Sequence, residues 1–93
     1  MTINVAVLAD GAQLRYGRLR YACYSVWLYS ARGSLLWRSA PGAISSIRTA
    51  LPRMRKHLSC VDLDRDEQDI RTDARARRAI DRLCTEFGGV STT

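Results

Sequence analysis

The chain has 93 residues, of which 46% are hydrophobic and 26% charged, a composition typical of one globular domain. This length leaves no room for an enzyme with separate cofactor and substrate domains, and the composition argues against disorder over most of the chain. Its 15 basic and 9 acidic residues give a formal net charge of +6. Such a surplus favours polyanionic partners, which include nucleic acids and acidic protein surfaces.

The positive charge is concentrated in the first two thirds of the chain. Residues 1–60 contain nine basic residues and one acid, whereas residues 61–93 contain six basic and eight acidic residues. Fourteen of the fifteen basic residues are arginine, which forms bidentate contacts with phosphate and carboxylate groups more readily than lysine. The basic part is therefore the first candidate for a polyanion-binding surface, although the acidic part could also neutralise it within the fold.

Cysteine usage and hydropathy indicate a cytoplasmic protein. The three cysteines are odd in number and have no CxxC spacing, so we expect no disulfide framework and a reducing compartment. The apolar run at residues 3–9 lacks the basic flank of a signal peptide. No stretch approaches the roughly 20 apolar residues of a membrane span, so we expect no membrane partner.

Three strands are predicted in the first part of the chain. Residues 2–9 are rich in β-branched and apolar types and are followed by an Asp-Gly turn signal. Residues 18–29 are dense in tyrosine, tryptophan and valine, which predicts a central strand. A turn at residues 31–33 then leads into a third strand over residues 34–38.

Two helices are predicted in the rest of the chain. Ser39 is the predicted N-cap of the first, and Pro52 within it predicts a kink or a division into two short helices. The apolar stripe of this helix recurs at helical spacing: Ile44, Ile47, Leu51, Met54 and Leu58. Residues 59–63 are a candidate for a short fourth strand. A capping-box spacing that begins at Asp64 predicts a long second helix over residues 65–87.

These elements predict one α+β domain over residues 1–87, followed by a flexible C-terminal tail over residues 88–93. The element order is β-β-β-α-(β)-α. It describes a three-stranded antiparallel sheet, a Pro-kinked helix, the candidate fourth strand and a long C-terminal helix. We expect the helices to pack on one face of the sheet.

Two rows of cations are the candidate binding surfaces. One row lies on the predicted second helix, opposite its apolar stripe: Arg71, Arg75, Arg78 and Arg82. The other lies on the helix that contains Pro52: Arg48, Arg53, Arg55 and Lys56. Such rows can neutralise successive phosphates or bind an acidic partner, and each can also be an ordinary solvated face.

A few other residues are candidates for chemistry. Trp37 is a candidate aromatic anchor for a protein partner. Asp10 together with Asp62 and Asp64 could hold a divalent metal ion, although acids at a helix start also complement the helix dipole. The sequence contains no Ser-His-Asp, Walker or GxGxxG pattern. We therefore expect no catalytic residues and no cofactor.

Three segments within residues 3–70 form a further pattern: VAVLADGA, YACYSVWLYSARGSLLW and ISSIRTALPRM. Together they resemble the N-terminal part of the ribonuclease H-like fold. In that family the first strand ends in an Asp-Gly-Ser-like turn whose aspartate binds metal, and Asp10 matches it. The resemblance implies a second metal-binding aspartate within residues 62–66. The family's glutamate on the first helix has no counterpart at residues 44–48, so the resemblance implies the fold without the family's catalysis.

Three functions are compatible with these features. The first is a small basic non-catalytic binding protein that acts on nucleic acid or on a nucleic-acid-processing protein complex. Small, basic proteins without catalytic motifs include phage-encoded inhibitors of host nucleases and defence systems, and the analogy is one of size and composition only. The second is a protein–protein interaction module with no nucleic-acid contact, and the third is a metal-dependent ribonuclease H-like nuclease. Salt-sensitive binding would favour the first over the second, and metal-dependent cleavage would identify the third.

Overall fold

Five strands in the described part of the chain form one antiparallel sheet. The computed structural model describes residues 2–18 and 23–93. The strands are β1 (Asn4–Val7), β2 (Gln13–Arg18), β3 (Tyr24–Tyr29), β4 (Leu35–Arg38) and β5 (Val90–Ser91). The helices are α1 (Ile47–Leu58), α2 (Glu67–Thr72) and α3 (Ala74–Phe87). The strand order is β1-β2-β3-β4-β5, so the first four strands form a meander and the last joins it after the helices.

The alternation of side chains along the strands decides which face of the sheet is buried. Leu14 lies opposite Ala6 on β1 and opposite Leu28 on β3, and all three are buried. Leu28 in turn lies opposite the buried Trp37 on β4. Val5, which points to the other face, is exposed. The helices therefore pack on one face of the sheet, and the predicted α+β class is confirmed.

The sheet has five strands where the sequence predicts three. The pattern misses β2, because two arginines and a glycine interrupt its apolar residues. The single strand predicted over residues 18–29 is in fact the end of β2 and the whole of β3. Residues 19–22, which fall within that prediction, lie outside the described residues. The expected central strand is therefore two neighbouring strands that pair with each other.

The first helix begins later than predicted. Ser46 is the N-cap of α1, and its hydroxyl accepts a hydrogen bond from the Thr49 N–H at 3.4 Å. Ser39, the predicted cap, is buried, and its hydroxyl accepts from the Val26 N–H at 3.0 Å. Ser39 therefore satisfies a donor of the sheet instead of a donor of the helix.

Pro52 does not divide α1 into two helices. Because Pro52 has no N–H group, the Arg48 carbonyl lacks its usual helical hydrogen bond. Arg48 and Pro52 are both exposed, so water can supply that hydrogen bond. Residues 59–63, the candidate fourth strand, form no strand. They follow an irregular path in which the Leu63 carbonyl accepts from the Ala31 N–H at 3.1 Å. This segment therefore bonds to the turn between β3 and β4 without extending the sheet.

The long helix predicted over residues 65–87 is divided at Asp73 into α2 and α3. The carboxylate of Asp73 accepts from the N–H groups of Arg75 at 2.8 Å and Ala76 at 3.2 Å, so it caps α3. The Arg65 guanidinium pairs with the same carboxylate at 2.7 Å. The hydrogen bond from Arg65, followed by those two backbone bonds, holds the pKa of Asp73 below its ordinary value. The helical spacing of apolar residues continues across Asp73, so this spacing alone does not predict the break between α2 and α3.

The chain returns to the sheet after α3 through two glycines. Gly88 and Gly89 have φ angles of 70° and 92°, which residues with a side chain rarely adopt. The next two residues form β5, which pairs with β4. Trp37 on β4 is fully buried, and its indole N–H donates to the Gly88 carbonyl at 3.1 Å. Residues 88–93, which the sequence suggested as a flexible tail, thus contain a strand that belongs to the sheet.

Replacing Gly89 by alanine should destabilise the fold more than the same change at Gly33. Their φ angles of +92° and +90° are matched, so each variant carries about 1–2 kcal/mol of similar backbone strain. A Cβ at Gly89 would also overlap the backbone of Arg38 and Ser39, whereas a Cβ at Gly33 meets nothing within 4 Å. In urea denaturation we expect Gly89→Ala to lose at least about 2 kcal/mol more than Gly33→Ala. Equal losses would show that the return of the chain to β4 tolerates a side chain at this point.

Candidate anion-binding groove

Close packing of two helices creates a groove on the helical side of the domain. α1 and α3 pack against each other, and the buried Ala50 and Ala79 each line a groove between the two helices. Short side chains at such a contact allow the helix axes to approach one another closely. A groove of about 620 Å³ opens along this contact, and its lining contains no strand residue. Val61 and Ala79 supply part of its apolar lining.

Five cationic side chains line this basic groove: Arg53, Lys56, Arg75, Arg78 and Arg82. All five residues are exposed. On each helix they recur at spacings of three or four residues, which places them on one stripe. The stripe on α3 runs over seven residue steps, or about 10 Å of helix. The structure therefore joins parts of both predicted rows into a single surface.

Glu86 on α3 neutralises one end of the basic groove. Its carboxylate forms an ion pair with Arg53 and a hydrogen bond with Nε2 of His57. The hydrogen bond with His57 is the main reason that the pKa of Glu86 lies below its ordinary value. The charges of Arg53, His57 and Arg82 lower this pKa further. Arg53 is therefore already engaged with a carboxylate of the protein.

The rest of the basic groove has an excess of positive charge. Lys56, Arg75 and Arg78 form no ion pair with any residue that the structure describes. Their side chains are exposed, so an anion can reach them without the large desolvation cost of a buried site. The groove favours a ligand that carries several negative charges at intervals, because like charges on adjacent turns repel until a counterion neutralises them.

Three of the eight predicted cations lie outside the basic groove. Arg48 is exposed on α1 but does not line it. Arg55 reaches toward the edge of the sheet, where it donates to the Val7 carbonyl at 3.2 Å. Arg71 belongs to α2 and pairs with Glu67 at 3.2 Å. The row predicted on one long helix is therefore divided between two helices.

The aromatic anchor predicted at Trp37 does not lie at the surface. The ring is fully buried in the core, so a partner could reach it only if the fold opened. The sequence analysis also does not predict that Val61 and Ala79 line the groove. The sequence feature that could have indicated this contact is the pair of buried alanines on α3, Ala76 and Ala79, because small residues on a helix favour close packing against another helix.

Two of the aspartates considered as metal ligands accept hydrogen bonds from the backbone. Asp10 accepts from the Ala12 N–H at 3.1 Å and, through its other oxygen, from the Leu63 N–H. Asp62 accepts from the Asp64 N–H at 2.9 Å. Within the described part of the chain, no three histidine, cysteine, aspartate or glutamate side chains are grouped so that they could hold a metal ion. Asp10 thus ties the turn after β1 to the segment that precedes α2.

Comparison with known proteins gives no match: no family model, no curated protein and no solved structure matches the chain. Among the residues described, no helix is long and apolar enough to cross a membrane. The three cysteines are free thiols. The geometry and charge of the basic groove are therefore the basis on which a function can be proposed.

The fold should lose stability as the pH falls below about 4.5, and Glu86 should account for part of the loss. Its pKa in the folded protein lies below the ordinary value of 4.5, so ionised Glu86 stabilises the fold above that pH. This contribution disappears as the pH falls through the folded-state pKa, and Glu86→Gln lacks it throughout. The difference in melting temperature between the wild type and Glu86→Gln should therefore shrink from about pH 7 to about pH 3. A difference that stays constant over this range, measured by circular dichroism, would contradict the assignment.

Proposed function

We propose that the protein is a small, non-catalytic binding protein whose basic groove holds the phosphate backbone of a nucleic acid. The observation that carries the proposal is the convergence of cations from two helices on one groove of about 620 Å³. Four of the five cations are arginines, whose planar guanidinium groups can donate two hydrogen bonds to one phosphate.

The dimensions of the basic groove support a polymeric ligand over a single small anion. The stripe on α3 is about 10 Å long, which matches about three nucleotides of one duplex strand at roughly 3.4 Å each. The groove lining contains no phenylalanine, tyrosine or tryptophan, and its imidazole, His57, is bonded to Glu86. Contacts to phosphates alone fix the position of a nucleic acid without reading its sequence, so we expect weak sequence preference at this surface.

The charge of the basic groove supports binding. Lys56, Arg75 and Arg78 have no carboxylate partner among the described residues, whereas Glu86, the acid beside the groove, is engaged by Arg53 and His57. A binding protein of this kind can act by occupying nucleic acid, or by competing for it with a nucleic-acid-processing complex. An inhibitor of a host nuclease or defence system, of the phage type, is one form of this function.

Charge reversal at Arg78 should weaken nucleic-acid binding, whereas charge reversal at Arg48 should not. Both residues are exposed arginines on helices, but only Arg78 lines the basic groove. Loss of a charge-assisted contact to phosphate corresponds to a decrease of about tenfold or more in affinity. We expect this loss for Arg78→Glu and less than about threefold for Arg48→Glu, measured by fluorescence anisotropy with a short duplex at about 50 mM salt.

The salt dependence gives a second measure for the same pair of variants. Loss of one phosphate contact should reduce the slope of log affinity against log salt by about one for Arg78→Glu. Equal losses in the two variants would mean that net charge, and not the basic groove, determines binding. Absence of binding to any nucleic acid would contradict the proposed function and leave an acidic protein surface as the ligand to test.

Removing the internal carboxylate should improve binding. Glu86→Gln releases Arg53 and His57 from their negatively charged partner and leaves the groove more positive. The partly exposed ion pair between Glu86 and Arg53 competes only weakly with a phosphate for Arg53, so we expect the affinity for nucleic acid to increase by up to about fivefold. Asp81→Asn is the matched control, since Asp81 is an exposed acid of the same helix that forms no ion pair with any described residue. The same increase in both variants would show that Glu86 has no specific effect on the groove.

A further inference from the structure

The face of the sheet opposite the helices is open to solvent. Val5 and Val7 on β1 are 50% and 57% exposed, and Val90 on β5 is 51% exposed. Ala6, between the two β1 valines, is buried on the opposite face, as the alternation of a strand requires. Both edges of this open face, at β1 and at β5, are therefore accessible to a ligand.

A row of side chains crosses this open face in register. Arg15 is paired with Val5 on one side and with Trp27 on the other. Trp27 is in turn paired with Arg38, which is paired with Val90. Trp27, which is partly exposed, thus has a cation on each neighbouring strand. Since adjacent strands are about 4.8 Å apart, the backbones of the two arginines are about 10 Å from each other.

A second aromatic ring lies beside this row. Tyr29 is partly exposed, and the guanidinium group of Arg15 lies over its ring, 4.2 Å from the ring centre. Nε of Arg15 also donates to the side-chain carbonyl of Gln13 at 3.1 Å. These contacts hold Arg15 in place, so a ligand that meets it has less side-chain entropy to remove.

The strands that form the open face also lack negatively charged residues. The five strands contain three arginines but no aspartate or glutamate. Aromatic rings with cations beside them are complementary to unpaired bases joined by phosphates, because bases stack on the rings while cations bind the backbone. An acidic peptide would use the cations but would leave the Trp27 ring without a partner.

We propose that this open face binds single-stranded nucleic acid, with a base stacked on Trp27 and phosphates held by Arg15 and Arg38. The proposal goes beyond the proposed function, because it assigns single-stranded nucleic acid to a surface that shares no residue with the basic groove. The guanidinium of Arg15 already lies over the Tyr29 ring, so the stacking partner on this face is Trp27. A base that stacks on Trp27 must be unpaired, which a single strand permits and a duplex does not.

The two tryptophans make this proposal directly measurable. Trp37 is fully buried, so Trp27 is the tryptophan that a ligand on the open face can quench. Addition of an oligothymidylate of about ten nucleotides at about 50 mM salt should quench the intrinsic fluorescence of the wild type. Trp27→Leu should abolish the quenching and lower the single-strand affinity by about tenfold, because stacking on an aromatic ring is lost. Trp27→Phe, which keeps a ring, should retain affinity within about threefold.

The controls separate this proposal from the proposed function. A duplex of the same length should bind Trp27→Leu as tightly as it binds the wild type, and should bind Arg78→Glu more weakly. If Trp27→Leu keeps its single-strand affinity while Arg78→Glu loses duplex binding, the basic groove stands and the proposal for the open face is overturned. Equal quenching by the duplex, or a dimer in sedimentation whose Trp27 is shielded from acrylamide, would also overturn it. Quenching by single strands with no duplex binding would support the open face and count against the groove.

Discussion

The contact between α1 and α3 is the constraint on which the basic groove depends. It holds two rows of like charges side by side, so the apolar burial beneath them has to exceed their repulsion. Met54 and Leu58 on α1, with Ile80 and Leu83 on α3, are buried. Burial of each such side chain contributes about 1.5–3 kcal/mol, whereas an exposed charge pair contributes about 1 kcal/mol or less. The apolar contact therefore dominates, and the surplus positive charge can remain on the surface without opening the fold.

The acidic residues contribute mainly to the architecture of the chain. Asp66 and Asp73 cap α2 and α3, and Asp10 accepts hydrogen bonds from two backbone N–H groups. Acids used in this way satisfy the free donors of helix starts and turns, and they neutralise few arginines. Glu86 is different, because it lies beside the basic groove and engages Arg53. Much of the positive charge behind the net +6 therefore remains at the surface without an acidic partner among the described residues, even though residues 61–93 are acidic.

Local patterns in the sequence predict the class of the fold better than its connections. The apolar stripe that ends at Leu58 identifies α1, and the alternation of tyrosine, valine and leucine identifies β3, because each buries one regular face. The division at Asp73 and the return of the chain through Gly89 depend on contacts that are distant in sequence or on single caps, which leave periodicity unchanged. The pairing of β5 with β4 is of this kind, since it joins residues about fifty positions apart. The hydrophobic pattern therefore predicts a sheet covered by helices but does not predict the strands β2 and β5.

The candidate sites show the same division between local and distant information. The cations at 75, 78 and 82 are visible as a row in the sequence, because their spacing is set within one helix. Their meeting with Arg53 and Lys56 is not visible, since it requires the fold to bring α1 against α3. Trp27 and Trp37 are chemically alike in the sequence, and only the register of the sheet places one on the open face and the other in the core. For an aromatic residue in a sheet, the face to which it points thus decides whether it can contact a ligand.

The basic groove and the open face lie in different layers of a domain whose shorter extents are 23 and 20 Å. A groove that contacts phosphates is indifferent to base pairing, whereas a ring that stacks on a base requires that base to be unpaired. If both surfaces bind nucleic acid, one strand has to pass around the edge of the domain, or two segments have to be held at once. In either case the preference for single strands originates at Trp27, and the salt dependence originates largely in the groove, because that is where most of the converging cations lie. Affinity and selectivity would then be set by separate layers of the same small fold.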